Sequence, residues 1–149
     1  MKPPGERTIL VLGSLLFAAY VIQGLAFEWP WLLEVQDTDT YKVASGLGLS
    51  IYLYSQWSMR RHRHVAWHKL GGALAPLVLY VHASKFGYGY LLLLGLVYLG
   101  TMLIGLAHKP VVELKSKGLF TTWFIVHVST SVILVVLGGY HVVIAIAYE

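Results

Sequence analysis

The chain contains no cysteine among its 149 residues. It can therefore form no disulfide, no thiolate-ligated metal cluster and no Cys-x-x-Cys-His attachment for a covalently bound haem. A Gly-rich phosphate-binding fingerprint of the kind found in nucleotide-binding domains is also missing from the sequence. These absences exclude thiol chemistry and argue against a nicotinamide or flavin site of the usual kind.

Charged residues are scarce as well. They make up 12% of the sequence, whereas 57% of the residues are hydrophobic, and a typical soluble domain has about twice that charged fraction. A helix needs an apolar stretch of about 20 residues to cross the hydrocarbon core of a bilayer. Five stretches of suitable length predict an all-α fold, a single integral membrane domain over residues 1–149 that lies in the lipid bilayer as a five-helix bundle. They cover residues 8–27, 41–59, 65–84, 87–108 and 119–147.

The distribution of charge indicates how these helices are oriented. Basic residues concentrate at one set of helix ends and acidic residues at the other, so the positive-inside rule predicts a cytoplasmic N-terminus and an external C-terminus, in a bacterial cytoplasmic membrane. The net charge of +4 then describes loops that flank the membrane, and no nucleic-acid partner is expected. The basic set is Lys2, Arg7, Arg60, Arg61, Arg63, Lys69, Lys109, Lys115 and Lys117; the acidic set is Glu28, Glu34, Asp37, Asp39 and Glu149, accompanied by Lys42 and Lys85.

Four histidines repeat one spacing in two of the apolar stretches. His68 and His82 lie 14 residues apart in the third stretch, and His127 and His141 lie 14 residues apart in the fifth. Fourteen helical residues rotate the side chain to within about 40° of its starting direction and advance it by about 21 Å. Each pair therefore shares one face of its helix at two depths. Because ionisable residues are costly inside a membrane, the four histidines are candidate ligands of iron.

The number of crossings predicts which histidines face each other. In a five-helix bundle the third and fifth helices run in the same direction, because the fourth returns the chain between them. His68 is then expected opposite His127 as the ligands of an inner haem iron. His82 is expected opposite His141 as the ligands of an outer haem iron.

Small residues accompany the histidines and offer a surface on which a flat macrocycle can pack. Gly71, Gly72 and Ala75 lie between the two histidines of the third stretch, and Gly138 follows Thr130 and Ser131 in the fifth. The alternative is that these residues only permit close helix packing. His62, His64 and His108 are interpreted as parts of loops or helix ends.

The segment from Trp67-His68 through Gly71-Gly72-Ala-Leu-Ala75-Pro to His82, followed by His127 and His141, resembles the di-haem core of membrane b-type cytochromes. The closest similarity is to the ferric reductase-like transmembrane domain that NADPH oxidases share, and the cytochrome b of quinol-oxidising complexes is similar. The resemblance covers residues 65–147. It implies two haem b groups, each held non-covalently by two histidines, and electron transfer across the bilayer.

The haems would also need polar or cationic side chains beside their propionates, although the candidates for this are better explained as membrane-interface residues. They are Arg63, Lys69 and Lys117 on the inner side and Lys85, Tyr88 and Tyr90 on the outer side. Because no nucleotide-binding segment is found, the chain is expected to be an electron-transfer subunit that works with redox partner proteins.

Three alternatives stay open at this point. A quinol-oxidising or quinone-reducing cytochrome b subunit would use the same haems and add a quinone pocket. A non-redox, pigment-binding or structural membrane subunit would use one histidine for each pigment. A metal-ion transporter would require carboxylates within the membrane beside the histidines.

The predicted topology can be tested with reporter fusions. A reporter that is active only in the cytoplasm should work when it is inserted within residues 60–69 or 109–117 and should fail when it is fused after Glu149. An active cytoplasmic reporter at Glu149 would contradict both the five-helix count and the common direction of the third and fifth helices.

Overall fold

A computed structural model describes residues 4–59 and 64–148 of the chain. At residue 148 it describes the backbone alone. This part of the chain is helical and contains no strand, which confirms the predicted all-α fold over the described residues. Its helices are α1 (Glu6–Ala26), α2 (Pro30–Asp37), α3 (Asp39–Ser58), α4 (Val65–His82), α5 (Tyr90–Leu106), α6 (His108–Glu113) and α7 (Lys117–Tyr148).

The five predicted stretches correspond to α1, α3, α4, α5 and α7, but α2 and α6 were not predicted. Proline accounts for both short helices. Pro30 occupies the first position of α2, where a missing N–H is tolerated. Pro110 has no N–H to donate to the carbonyl of Leu106, and α5 ends at that residue. The predicted fourth stretch also starts too early, because Gly89 has a φ of 57° and α5 begins only after it.

In the part of the chain that the structure describes, three helical segments are long and apolar enough to cross a membrane: Glu6–Ala26, the segment Tyr90–Glu113 that comprises α5 and α6, and Lys117–Ala147. α3 and α4 have 20 and 18 residues and are not among these three segments. Much of the apolar side-chain surface of the three helices is exposed, as with Leu15 (64%) and Ile146 (80%). Apolar side chains with that exposure are suited to contact with lipid.

The internal contacts of the chain divide it into two compact units. The first is Met1–Lys85 and the second is Phe86–Glu149. The first unit contains α1 to α4, and the second contains α5 to α7.

In the first unit, the long helices alternate in direction in the order in which they follow one another along the chain. α1 and α4 run in parallel, since Glu6 and Lys69 form an ion pair near their N-terminal ends and Glu28 pairs with Lys85 just beyond their C-terminal ends. α3 runs antiparallel to α4, because its start lies beside the end of α4. The small core of this unit contains Ile9, Tyr20, Ala73, Ala75, Pro76 and Leu79.

In the second unit, α5 and α7 pack as an antiparallel pair. The end of α5 lies beside the first half of α7, where Trp123 donates a hydrogen bond to the carbonyl of Ile104. The start of α5 lies beside the second half of α7, where Tyr90 meets Tyr140. The buried apolar side chains of this unit are Tyr98, Leu99, Met102 and Leu134.

Gly71 of α4 lies directly against the side chain of Gln56 on α3. A Cβ atom at this position would lie 2.1 Å from Nε2 of Gln56. The hydroxyl of Tyr52 also donates a hydrogen bond of 2.8 Å to the carbonyl of Gly71. At Gly48, on α3, an added Cβ would meet no heavy atom within 4 Å.

These two glycines provide a matched test of the α3–α4 contact. Gly48→Ala should raise the free energy of unfolding by up to about 1 kcal/mol, because alanine is the better helix former. Gly71→Ala should show a smaller gain in the wild-type chain, because the end of the Gln56 side chain must move, and should show the full gain in a Gln56→Ala background. Thermal unfolding followed by circular dichroism in detergent measures all three differences. Equal gains at both glycines in the wild-type chain would contradict the close approach.

Candidate functional site

His68 lies one turn into α4, and its imidazole is held by α3. Its Nδ1 is 3.0 Å from the carbonyl oxygen of Gln56. Because a carbonyl only accepts hydrogen bonds, this contact places the proton of a neutral imidazole on Nδ1. The lone pair is then on Nε2, the atom through which such a ring binds a metal.

His82 is the last residue of α4 and is also held by α3. Its Nδ1 lies 3.1 Å from the hydroxyl oxygen of Ser45. Gly46 is next to this contact, and a Cβ added there would lie 3.6 Å from Cε1 of His82. Both histidines of α4 therefore face α3, and in each of them the ring nitrogen Nδ1 is hydrogen-bonded.

His127 lies on α7 and is oriented by an aromatic contact. Its ring is stacked on that of Trp123, with centroids 5.6 Å apart and planes inclined by 5°. Trp123 is itself fixed by the 2.6 Å hydrogen bond from Nε1 to the carbonyl of Ile104. On the α5 side, a Cβ at Gly105 would lie only 3.2 Å from Cε1 of His127. Glycine therefore lets α5 approach this imidazole.

His141 lies on α7 beside the first residue of α5. Its Nδ1 is 3.4 Å from the hydroxyl oxygen of Tyr90, and the two rings are tilted with centroids 6.2 Å apart. The edge of Tyr140 packs against Tyr90 at a centroid distance of 5.5 Å. Both histidines of α7 therefore face α5, as both histidines of α4 face α3.

The structure places the four predicted ligands in two pairs, with His68 and His82 in the first unit and His127 and His141 in the second. The common face within each pair is as the spacing predicts, since one neighbouring helix contacts both rings. The expected pairing of a histidine from α4 with one from α7 stays a prediction.

The small residues that were predicted to form a haem-facing surface have different surroundings. Gly71 is opposite Gln56, and Ala75 is buried in the first unit with 5% of its surface exposed. Added Cβ atoms at Gly72 and Gly138 would meet no heavy atom within 4 Å. Close helix packing therefore explains Gly71, while Gly72 and Gly138 have room for a larger neighbour.

Two of the cations considered for haem propionates form ion pairs with carboxylates. Lys69 pairs with Glu6, and Lys85 pairs with Glu28. Tyr88 is 92% exposed, and Arg63 lies outside the described residues. The Lys69–Glu6 and Lys85–Glu28 ion pairs lie at the surface, where such pairs typically contribute only about 0–1 kcal/mol to stability.

The remaining histidines differ from the four candidate ligands. His64 precedes α4, and His62 lies outside the described residues. His108 begins α6 instead of ending the preceding helix, and its ring meets Trp123 edge-on at 5.0 Å. In the part of the chain that the structure describes, no three His, Asp or Glu side chains are grouped closely enough to hold a metal ion.

Three residues that orient the imidazoles were missed by the analysis of the sequence: Ser45, Gln56 and Trp123. Ser45 is a polar residue on an apolar helix, but Gln56 contacts His68 through its backbone carbonyl, which no residue type signals. Trp123 is four residues before His127, the helical spacing at which side chains contact each other. Neither pattern identifies the opposing helix, which depends on tertiary packing.

Comparison with known proteins adds no relative. No family model matches the chain, and neither a curated protein nor a solved structure does.

The four candidate ligands are half-buried imidazoles on two helices, and three of them are hydrogen-bonded through Nδ1. Neutral imidazoles of this kind can donate a lone pair to a transition metal such as iron.

The contact of His68 with a carbonyl makes a prediction about its tautomer. In protein labelled with ¹⁵N at histidine, Nδ1 of His68 should give the resonance of a protonated nitrogen and Nε2 that of an unprotonated nitrogen. The signals are assigned by their loss in His68→Asn, and the spectrum is recorded at a pH where the ring is neutral. Protonation at Nε2 instead would contradict the hydrogen bond to Gln56.

Proposed function

We propose that this chain is a di-haem b-type cytochrome subunit of a membrane, which conducts electrons across the bilayer between redox partner proteins. In this proposal, His68 and His127 ligate an inner haem, and His82 and His141 ligate an outer haem. The haems are bound without covalent attachment, in agreement with the absence of cysteine.

The observation that carries the proposal is the support of the imidazoles through their Nδ1 atoms. Metal-ligating histidines almost always use their second ring nitrogen in a hydrogen bond, which selects the tautomer and fixes the ring plane. His68 has such a bond to the carbonyl of Gln56. The Nδ1 atoms of His82 and His141 lie at hydrogen-bonding distance from the hydroxyls of Ser45 and Tyr90, which are able to accept a proton from Nδ1. Stacking on Trp123 restricts the ring plane of His127 in another way.

The residues fit a haem by the chemistry of their donor atoms. Haem iron, when bound, supplies a centre that accepts and releases one electron, and axial ligands and hydrogen bonds to them tune its potential. The imidazoles would provide the axial nitrogens, and Gln56, Ser45 and Tyr90 would hold them in place. The apolar residues of the helices would exclude water from the site.

The five-helix topology with a cytoplasmic N-terminus, in a bacterial inner membrane, belongs to the same proposal. α3 and α4 are long enough to span about 27–30 Å at 1.5 Å for each residue. The alternating directions of α1, α3 and α4, and of α5 and α7, suit consecutive crossings. Several polar side chains of α3 and α4 are hydrogen-bonded to the other helix of this pair, which lowers the cost of placing them in lipid; they are Tyr41, Ser45, Tyr52, His68 and His82.

Haem content and redox titration of the purified chain test the function. A reduced-minus-oxidised spectrum should show low-spin haem b, at about two haems for each chain. His82→Ala and His141→Ala should remove the same redox component, and the double variant should cost little further haem. His68→Ala and His127→Ala should together remove the other component.

His64→Ala is the matched control and should keep the full haem content, because His64 lies before α4. If the wild-type chain binds no haem, or if all four ligand variants keep it, the proposal is wrong. Loss of one common component in His82→Ala and His127→Ala would reverse the pairing of the helices.

The same preparation separates the proposed role from that of a quinone enzyme. With neither a nucleotide fingerprint nor a partner protein present, NADH and NADPH should not reduce the haems. Rapid reduction by a quinol analogue would instead favour the quinol-oxidising or quinone-reducing alternative.

A further inference from the structure

The C-terminal end of α4 is held by side chains from three other helices. The last carbonyls of a helix have no partner within the helix and must be satisfied in another way. At this end of α4 the carbonyls of Tyr80, Val81 and Ala83 all accept side-chain hydrogen bonds. His82 lies among these three residues.

Gln36 of α2 makes most of these contacts. Its Nε2 donates to the carbonyl of Tyr80 at 2.9 Å and to that of Val81 at 3.2 Å. Its Oε1 accepts hydrogen bonds from the backbone N–H of Ser84 at 3.1 Å and from the hydroxyl of Ser84 at 2.6 Å. One amide side chain thus connects the residues on both sides of His82.

Two tyrosines complete the arrangement. Tyr41 of α3 donates a hydrogen bond of 2.6 Å to the carbonyl of Val81, and Tyr20 of α1 donates one of 3.2 Å to the carbonyl of Ala83. Ser84 is 2% exposed. A hydrogen bond to a buried group is costly to lose, because the remaining partner is left without water or protein to satisfy it.

These contacts act on the backbone that carries the imidazole of His82. Helix ends fray when their terminal groups lack partners, and the backbone of the last turn sets the direction of the Cβ atom of its side chains. The contact of Nδ1 with Ser45 at 3.1 Å requires that the last turn of α4 keeps its position beside α3. Gln36 acts on the backbone directly before and after this residue.

We propose that Gln36 is a positioning residue, which orients the imidazole of His82 by holding the end of α4. The inference rests on the proposed function only where it concerns the haem. The orientation of the ring toward Ser45 follows from the hydrogen bonds of the chain itself.

The test compares Gln36→Met with Glu34→Gln. Methionine has nearly the shape of glutamine but can form none of its four hydrogen bonds, whereas Glu34 is an exposed residue of the same helix. Tyr41→Phe is a milder variant, since it removes one hydrogen bond to the same turn. All three are prepared as the full chain in lipid bilayers.

The first measurement is the ¹⁵N spectrum of labelled histidine, in which His82 is assigned by its loss in His82→Asn. In Gln36→Met the His82 ring signals should shift and broaden, while those of His68 stay in place. Tyr41→Phe should produce a smaller change in the same signals, and Glu34→Gln should produce none. Unchanged His82 signals in Gln36→Met would overturn the proposal whether or not the chain binds haem.

The second measurement is redox titration. The midpoint potential should shift, or occupancy should fall, for the component that His82→Ala removes, and the other component should not change. If His82 moves in the NMR spectrum but this component is unaltered, Gln36 orients His82 without positioning a haem ligand, and the part of the proposal that concerns the haem is overturned. A wild-type chain without haem would instead refute the proposed function, while the NMR result would still decide the role of Gln36.

Discussion

Polar groups in a chain with this apolar composition must find partners within the protein. A peptide or imidazole group that is moved from water into an apolar environment without a hydrogen bond costs several kcal/mol. α3 and α4 meet this requirement together, through the contacts of Tyr52 with Gly71, Gln56 with His68 and Ser45 with His82. Their relative rotation and register are therefore tied to the directions of the two imidazoles.

α5 and α7 orient their histidines by other means. Trp123 stacks on His127, and Gly105 allows α5 to come close to the same ring. At the other end Tyr90 contributes a hydroxyl to His141. In each unit, one neighbouring helix restrains two imidazoles that lie 14 residues apart on one face. The residues that provide this restraint differ between the two units.

The short helix α2 illustrates how a connection can take part in a site. In sequence it is a segment between two apolar stretches, and Pro30 at its first position is its clearest structural signal. In the fold, Gln36 of this helix is bonded to the turn of α4 that ends in His82. The polar residues of a loop-like segment therefore satisfy carbonyls that α4 cannot satisfy by itself.

The sequence by itself determined the helical class, the positions of five long helices and the common face of each histidine pair. These properties depend on local composition and on a fixed helical period, which single residues such as His68 and His82 report directly. Tertiary structure alone decided that Gln56, Ser45, Trp123 and Tyr90 meet the imidazoles, and that Gly71 serves the α3 contact. These contacts join residues that are mostly distant in sequence, and they depend on rotation and register between helices, which no local pattern specifies.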